Sequence, residues 1–165
     1  MIEFREISIL SPEMRECIEL RVTKEQEEFV ASNAYSLAEA YVDTKLFNET
    51  GGEDGAYAVP FAIYEDGKMV GFVMYSYCFD EDYCDTHHYY VWRLFVDKNH
   101  QGRGIGKKAL AHVMNIIKTK PHGPATHCYS SYDPENKASQ ATFAAYGFKE
   151  DGREVDGETV AYYLL

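Results

Sequence analysis

The chain has 165 residues, of which 45% are hydrophobic, and its formal net charge is -11. This is enough apolar material for one core and too little length for two comfortable domains, so we expect a single domain over residues 1–165. No run of about 18 apolar residues is present, and the charged stretch from Met1 to Arg5 lacks the apolar segment of a signal peptide. We therefore expect a soluble, cytoplasmic protein that does not enter a membrane.

The acidity of the chain restricts its partners. A net charge of -11 repels the phosphates of nucleic acids and anionic membrane surfaces. We expect no nucleic acid and no membrane partner, and a small cationic molecule fits this charge better. The alternative is that the acidity serves only solubility. The sequence does not fix the oligomeric state, and a homodimer is the assembly that we consider.

The cysteines and histidines do not suggest a metal site. The chain has four cysteines, Cys17, Cys78, Cys84 and Cys128. They form no C-x-x-C pair, so neither a zinc ribbon nor a thioredoxin-like redox pair is supported. We expect free thiols, as in a reducing compartment, with a disulfide between Cys78 and Cys84 as the alternative. His87 and His88 would point to opposite faces of a strand, which is poor geometry for chelation.

The N-terminal part of the chain predicts a strand followed by a helix. Alternating hydrophobicity from Ile2 to Ile9 indicates the strand. Ser11-Pro12-Glu13 then reads as a helix start, because proline is tolerated in the first turn, and Met14 to Leu20 forms the predicted helix.

A second helix is predicted from Ser36 to Phe47. Ser36 is placed as its N-cap, and Glu39 stands where a capping box requires an acidic residue. The segment before it, Thr23 to Tyr35, is richer in Glu and aromatic residues than a connector requires. We therefore expect that segment to line a substrate cleft.

The rest of the chain predicts a hairpin followed by alternating strands and helices. Tyr57 to Tyr64 and Met69 to Tyr77 are β-rich, and the Asp66-Gly67 pair between them is a strong hairpin signal. The later predicted strands are His88 to Val96, Ala125 to Tyr129, Phe148 to Val155 and Thr159 to Leu165. The later predicted helices are Ile105 to Thr119 and Lys137 to Tyr146. The predicted order is βααβββαβαββ.

The most informative passage runs from Leu94 to Lys108. It is an apolar strand, a short polar turn, and a glycine-rich stretch that opens directly into an amphipathic helix. Glycines allow the backbone to approach a ligand closely, and the free N–H groups at a helix N-terminus bind a diphosphate. Lys107 and Lys108 add positive charge beside this loop in an otherwise acidic chain.

Two other phosphate-binding motifs fit this passage poorly. A Walker loop requires Ser or Thr after Gly106-Lys107, and this chain has Lys108 there. A Rossmann fingerprint requires G-x-G-x-x-G within a βαβ unit near the start of a domain, whereas this loop lies past mid-chain and after a hairpin.

The passage resembles motif A of the GNAT acetyltransferase family, Q/R-x-x-G-x-G/A, with Gln101, Gly104 and Gly106 at its fixed positions. Asn136 to Phe148 is similar to the family's motif B. The resemblance covers essentially the whole chain. It implies an α/β (α+β) fold with a mixed central sheet, splayed fourth and fifth strands, and flanking helices. The segments Phe29 to Tyr41 and Val70 to Tyr75 look like the bacterial spermine/spermidine acetyltransferase branch.

The resemblance implies acetyl-CoA as the cofactor and assigns residues to it. The main chain of the fourth strand would pair with the acetyl and pantetheine amides, the loop N–H groups would hold the pyrophosphate, and Asn136 would reach the pantetheine arm. Asn136 could equally serve only as a helix N-cap. The implied cofactor-binding residues are Leu94, Phe95, Val96, Gln101, Gly102, Arg103, Gly104, Ile105, Gly106, Lys107, Asn136, Ser139 and Phe143. No metal is implied.

The catalytic residues are less clearly indicated. The Leu94 N–H is expected to stabilise the oxyanion. The family usually has a tyrosine as general acid where this chain has Phe143, which has no proton to donate. Tyr129 or Tyr132 could donate the proton in its place. Candidates for the base that deprotonates the amine are Glu27, Glu28, Glu39, Asp80, Glu81, Asp82 and His88, and Glu28 is the one that we select.

The sequence therefore predicts an N-acetyltransferase that transfers acetyl from acetyl-CoA to a primary amine, with a polyamine such as spermidine or spermine as the expected acceptor. Within the same fold, the alternatives are an aminoglycoside and a protein α-amine. A different class of protein, a catalytically weak acyl-CoA-binding module, is favoured only by Phe143.

Overall fold

The computed structural model describes residues 1–8 and 11–165. Its strands are β1 (Ile2–Glu6), β2 (Ala56–Glu65), β3 (Lys68–Cys78), β4 (His88–Val96), β5 (His127–Tyr132), β6 (Lys149–Val155) and β7 (Glu158–Leu164). Its α-helices are α1 (Glu13–Glu19), α2 (Asn33–Thr50), α3 (Ile105–Ile117) and α4 (Lys137–Tyr146), and a 3-10 helix spans Lys24–Glu28. The order of strands and α-helices matches the prediction. The predicted end of the first strand, Ile9, lies outside the described residues.

The strands form one mixed sheet in the order β1-β2-β3-β4-β5-β7-β6. Every neighbouring pair is antiparallel except β4 and β5, which run parallel. The predicted α/β fold with a mixed sheet is confirmed. Because β4 is followed by α3 before β5 begins, the parallel pair comes from a helical crossover.

The β2–β3 hairpin forms as the sequence predicts. Asp66 and Gly67 connect the strands with φ angles of 50° and 80°. Two consecutive positive φ angles are typical of the turn whose twist matches that of the flanking strands. The β3–β4 pair contains a bulge, because Met74 pairs with Arg93 and Tyr75 with Val91, which leaves Trp92 as the extra residue.

Hydrophobic residues cover both faces of the central strands. On one face, α3 contributes a buried stripe that packs on the sheet: Ile105, Ala109, Leu110, Val113, Met114 and Ile117. On the other face, Cys17 of α1 and Leu37 and Ala40 of α2 pack on Phe72 and Met74 of β3. A strand buried on both faces has apolar residues at successive positions, as β3 does from Met69 to Tyr75.

The predicted start of the second helix is wrong by three residues. Helix α2 begins at Asn33, and its N-cap is Ser32, whose side chain accepts a hydrogen bond from the Tyr35 N–H. Ser36 lies inside the helix and its hydroxyl donates to the Ser32 carbonyl. The capping box is found instead in the 3-10 helix, where Thr23 and Gln26 bond each other's main chain.

Several boundaries also shift in the C-terminal half. The fifth strand starts at His127 and runs to Tyr132, and α3 ends at Ile117. The bounds predicted for β4 and α4 agree with the structure. No helix within the described parts of the chain is both long and apolar enough to span a membrane.

Candidate active site

The sheet opens between β4 and β5. The two strands pair only at Tyr89 with Cys128 and at Tyr90 with Tyr129. Beyond Tyr90 the edge of β4 that faces β5 has no strand partner, so main-chain groups from Leu94 to Val96 on that edge can bind a ligand. The predicted splay is therefore present, and it begins next to the bulge at Trp92.

The glycine-rich loop lies where β4 leads into α3. Gly102 and Gly104 have φ angles of 73° and 75°, and no atom lies within 4 Å of a Cβ built at either position. Gly104 is the N-cap of α3 and no side chain caps the helix. Within the described residues, no group accepts a hydrogen bond from the N–H groups of residues 102–107. A helix N-terminus with free donors and open space above it fits a diphosphate.

Two side chains hold this loop in place. The Gln101 amide donates to the Val96 carbonyl at 2.9 Å and to the Gln26 side chain at 2.7 Å, so it joins the loop to β4 and to the 3-10 helix. The Asp97 carboxylate accepts from the Asn99 N–H at 3.0 Å and from the Arg21 N–H at 3.3 Å. Burial opposes ionisation of Asp97, but these bonds and that of His100 hold its pKa below the usual value. These bonds anchor the loop where it leaves β4.

A cleft of about 560 Å³ lies over the loop and the free edge of β4. We call it the cofactor cleft. Of the predicted cofactor residues, it is lined by Leu94, Phe95, Val96, Gln101, Gly102, Gly104, Ile105, Gly106, Lys107, Asn136 and Ser139. Arg103 does not line it; the Arg103 guanidinium instead pairs with Glu65 at 2.8 Å. Asn136 is the N-cap of α4, and its side chain accepts from the Ser139 N–H at 3.1 Å.

A second cleft, of about 520 Å³, adjoins the first. We call it the acceptor cleft. Phe29, Val30, Leu94, Asn136 and Ser139 line both clefts. Phe143 lines the acceptor cleft and not the cofactor cleft. The two clefts therefore meet at the splay.

Part of the predicted substrate segment lines the acceptor cleft. Glu27 and Glu28 lie at its wall together with Phe29, Val30 and Ala31. Glu28 is exposed. Opposite, Arg93 of β4 donates to Ser36 at 3.0 Å and forms an ion pair with Glu39 at 2.8 Å. Glu39 is thus engaged with a cation and is a poor candidate for the base.

An acidic groove of about 670 Å³ continues from the acceptor cleft. Tyr83, Tyr90 and Trp92 line both. The groove carries six carboxylates: Asp43, Glu53, Asp54, Asp80, Glu81 and Asp82. Burial and the neighbouring carboxylates of Glu39 and Asp54 raise the pKa of Asp43. This crowding of like charges favours a cation in the groove.

His88 and Cys78 line the acidic groove, and Cys84 contacts His88. Cys78 Sγ is 3.6 Å from His88 Nε2, Cys84 Sγ is 3.4 Å from His88 Nδ1, and both thiols are free. Burial lowers the pKa of His88, so its ring is neutral at pH 7. Tyr129 lies outside the lining of both clefts and of the groove, with its ring 5.2 Å from that of His88. The structure therefore does not place Tyr129 in the wall of either cleft, and its role as the acid stays a prediction.

Sequence reasoning missed several polar residues of the acceptor cleft, among them Tyr83, Tyr90, Ser131 and Glu158. They come from a loop and three different strands. No local motif relates them, because only the register of β4, β5 and β7 brings them together. The alternation of each strand alone could not have identified them.

The mixed sheet opens at its parallel strand pair, with a glycine loop and a helix N-terminus beside the opening, which is the arrangement that the GNAT resemblance implies. A family model described as the acetyltransferase (GNAT) family matches residues 17–148, and the chain belongs to this family. It is accordingly an acetyl-CoA-dependent N-acetyltransferase.

Named relatives and solved structures resemble most of the chain. It is 29% identical to a probable spermine N(1)-acetyltransferase of Bacillus subtilis subsp. natto (strain BEST195), over 87% of this chain and 86% of the relative. It is 28% identical, with the same coverage, to the spermine/spermidine N(1)-acetyltransferase of Bacillus subtilis (strain 168). The crystal structure of PaiA N-acetyltransferase from Thermoplasma acidophilum in complex with coenzyme A superposes with a TM-score of 0.66, at 18% identity, over 100% of this chain and 99% of that one.

Proposed function

We propose that this enzyme acetylates a terminal primary amine of a polyamine such as spermidine or spermine. The observation that carries the proposal is the acidic groove, which has six carboxylates and joins the acceptor cleft through Tyr83, Tyr90 and Trp92. A polyamine is a flexible chain with several ammonium groups. One end can lie in the acceptor cleft while the remaining ammonium groups pair with carboxylates of the groove.

The relatives named as spermine and spermidine acetyltransferases support the same acceptor class. The net charge of -11 supports it too, because it draws cations towards the protein. Glu27 and Glu28 line the acceptor cleft and would attract the ammonium group that enters it.

Acetyl-CoA in the cofactor cleft would be held by the residues that line it. The N–H groups at the start of α3 would bind the pyrophosphate, and the free edge of β4 would pair with the amides of the pantetheine arm. With acetyl-CoA bound, its thioester carbonyl would be the group that the neutral amine attacks, and the Leu94 N–H would stabilise negative charge on the carbonyl oxygen. Preorganised N–H donors of this kind need no reorganisation during the reaction.

Initial rates with a set of acceptors test the proposal. CoA release would be followed with spermidine, a monoamine of similar length, an aminoglycoside, and a peptide with a free α-amine. We expect the highest kcat/KM with spermidine. A preference for the monoamine, the aminoglycoside or the peptide would contradict the polyamine assignment, and binding of acetyl-CoA without turnover on any acceptor would indicate an acyl-CoA-binding module.

A further inference from the structure

The acceptor cleft contains a chain of hydrogen bonds that ends at a carboxylate. The Tyr90 hydroxyl lies 2.6 Å from the Ser131 hydroxyl, and the Ser131 hydroxyl donates to Glu158 Oε2. Tyr90, Ser131 and Glu158 all line the cleft. The Tyr83 hydroxyl lies 3.3 Å from that of Tyr90.

The register of three strands places these groups at the splay. Tyr90 belongs to the last pair of residues that joins β4 to β5, opposite Tyr129. Ser131 lies two residues beyond Tyr129 on β5 and pairs with Val160 of β7. Glu158 lies two residues before Val160, and residues two apart on a strand share a face. The series of hydrogen bonds therefore starts where the strands separate and runs across β5 to β7.

In this series of hydrogen bonds, each hydroxyl donates in the direction of Glu158. An ionised carboxylate can only accept, so the single hydrogen of the Ser131 hydroxyl is committed to Glu158. The hydrogen between Tyr90 and Ser131 must then come from Tyr90. The Tyr83 hydroxyl, 3.3 Å away, must then donate to the Tyr90 oxygen, and the remaining lone pair of that oxygen is the acceptor for the amine. Burial raises the pKa of Tyr90 well above its usual value, so this phenol keeps its proton at neutral pH and acts as a relay.

We propose that Tyr90, Ser131 and Glu158 form a proton relay that deprotonates the acceptor amine, with Tyr90 as the catalytic residue that contacts the amine and Glu158 as the final base. The relay rests on the proposed function, and its substrate is the amine of that reaction. A proton passes from nitrogen to the Tyr90 oxygen, the Tyr90 proton passes to Ser131, and the Ser131 proton passes to Glu158.

The reaction is then balanced. The amine nitrogen forms a C–N bond with the acetyl carbonyl carbon, and the C–S bond to CoA breaks. The ammonium group loses two protons in total. One is released through Glu158, which is partly exposed and can exchange with water, and one protonates the departing thiolate. No oxidant, reductant or metal is needed.

Other ionisable groups face the relay and will also affect a pH profile. They are Tyr83 of the loop before β4, Glu27 and Glu28 of the 3-10 helix, Arg93 of β4, Tyr132 of β5, and Asp156 of the β6–β7 turn. The test therefore compares variants with wild type over the same pH range.

The test measures single-turnover rates with saturating acetyl-CoA and spermidine for wild type, Glu158→Gln, Tyr90→Phe and the double variant. Glutamine can still accept the Ser131 hydrogen bond but cannot take its proton. At pH 7 we expect each single variant to be slower by about 10²-fold, within the range ascribed to general acid–base catalysis. The double variant should be no slower than the slower single variant, because groups of one relay are not additive.

The deficit should shrink as the pH approaches the amine pKa of about 10, since a neutral amine needs no base. Acetyl-CoA affinity should not change. Glu154→Gln is the matched control: it neutralises an exposed carboxylate of the same hairpin that lies outside the cleft lining, and we expect wild-type rates. If Tyr90→Phe does not fold, Ser131→Ala and its hydroxyl-retaining counterpart Ser131→Thr replace it, and only Ser131→Thr should keep activity.

Two failures can be told apart. If the wild type acetylates spermidine and Glu158→Gln is equally fast, or slower by the same factor at every pH, the relay is wrong and the proposed function stands. If the wild type prefers another amine, the polyamine assignment is wrong, and the same variants test the relay on that amine. Absence of turnover with every acceptor would overturn both proposals.

Discussion

Gly104 begins α3 with a φ angle of 75°, a conformation that side chains rarely adopt. Gly106, in the first turn of α3, has only a Val96 methyl group near its missing Cβ, at 3.9 Å. These glycines keep side chains out of the cofactor cleft. The sequence identified them because their spacing from Gln101 is local and does not depend on the rest of the fold.

Gly104→Glu should abolish acetyl-CoA binding in a folded protein. The new Cβ meets no atom within 4 Å, so the substitution lowers the free energy of unfolding only by the strain of a left-handed residue, about 1–2 kcal/mol. The new carboxylate would occupy the position of the diphosphate. Calorimetric titration with acetyl-CoA measures the effect. Gly152→Glu is the control, because Gly152 has a φ angle of 84° and open space but lies outside the cleft lining. Equal affinities for the two variants would contradict this use of the loop.

Phe143 is the residue that departs from the family pattern. Its ring is buried, 5.9 Å from the Tyr132 ring and 5.1 Å from the Phe148 ring. The nearby Tyr132 hydroxyl donates to Glu150 at 2.9 Å, and burial, with that bond, raises the pKa of Tyr132. Tyr132 lines the acceptor cleft and Tyr129 does not, so Tyr132 is the alternative donor that we propose to test.

Phe143→Tyr should raise kcat modestly, by less than the roughly 10²–10⁴-fold ascribed to general acids. The added hydroxyl places a proton donor at the acceptor cleft, near the departing thiolate. Rates must be measured where chemistry limits turnover. Tyr132→Phe distinguishes the two donors: a sharp loss of kcat there, with no gain in Phe143→Tyr, would mean that Tyr132 already protonates the thiolate. No change in either variant would leave the proton to solvent.

At the scale of elements, most strands and helices were predictable from local patterns, and the errors have specific causes. Ser36 and Glu39 fit a capping box as well as Ser32 fits an N-cap. The sequence alone cannot show that Ser36 and Glu39 are instead occupied by Arg93, which is more than 50 residues away in the chain. That interaction joins α2 to the strand that lines both clefts.

Glu39→Ala should lower the free energy of unfolding by roughly 1–3 kcal/mol, because it leaves the partly buried Arg93 without its charged partner. It should also lower kcat more than it weakens acetyl-CoA binding, since Arg93 lines only the acceptor cleft. Urea denaturation and calorimetry measure the two effects. Glu49→Ala on the same helix removes an exposed ion pair with Lys45 and should have almost no effect. Equal losses in the two variants would contradict the account.

Across the whole molecule, the order of elements and the family resemblance were sufficient to predict the fold, and most of the predicted cofactor-binding residues line one cleft. The acceptor side was not predictable in the same way. Asp80, Glu81 and Asp82 were recognised as acidic, but only the folded chain shows that Asp43, Glu53 and Asp54 lie in the same groove. Tyr90, Ser131 and Glu158 meet only through long-range strand register.

Acceptor binding should weaken as salt concentration rises. The groove attracts a polycation over distances at which added salt screens charge, since the Debye length falls from about 10 Å at 0.1 M to about 3 Å at 1 M. The KM for spermidine should therefore increase with sodium chloride, while the KM for a neutral amine should change little. A spermidine KM that does not depend on salt would show that the groove does not hold the acceptor by charge.

Identifying the product is the most direct test of polyamine acetylation by this enzyme. Wild-type enzyme is incubated with acetyl-CoA and spermidine, and mass spectrometry measures acetylated spermidine against the CoA released. We expect one acetyl group on a terminal primary amine for each CoA released. Release of CoA without acetylated spermidine, or acetylation of a neutral amine in preference to spermidine in the same mixture, would contradict this expectation.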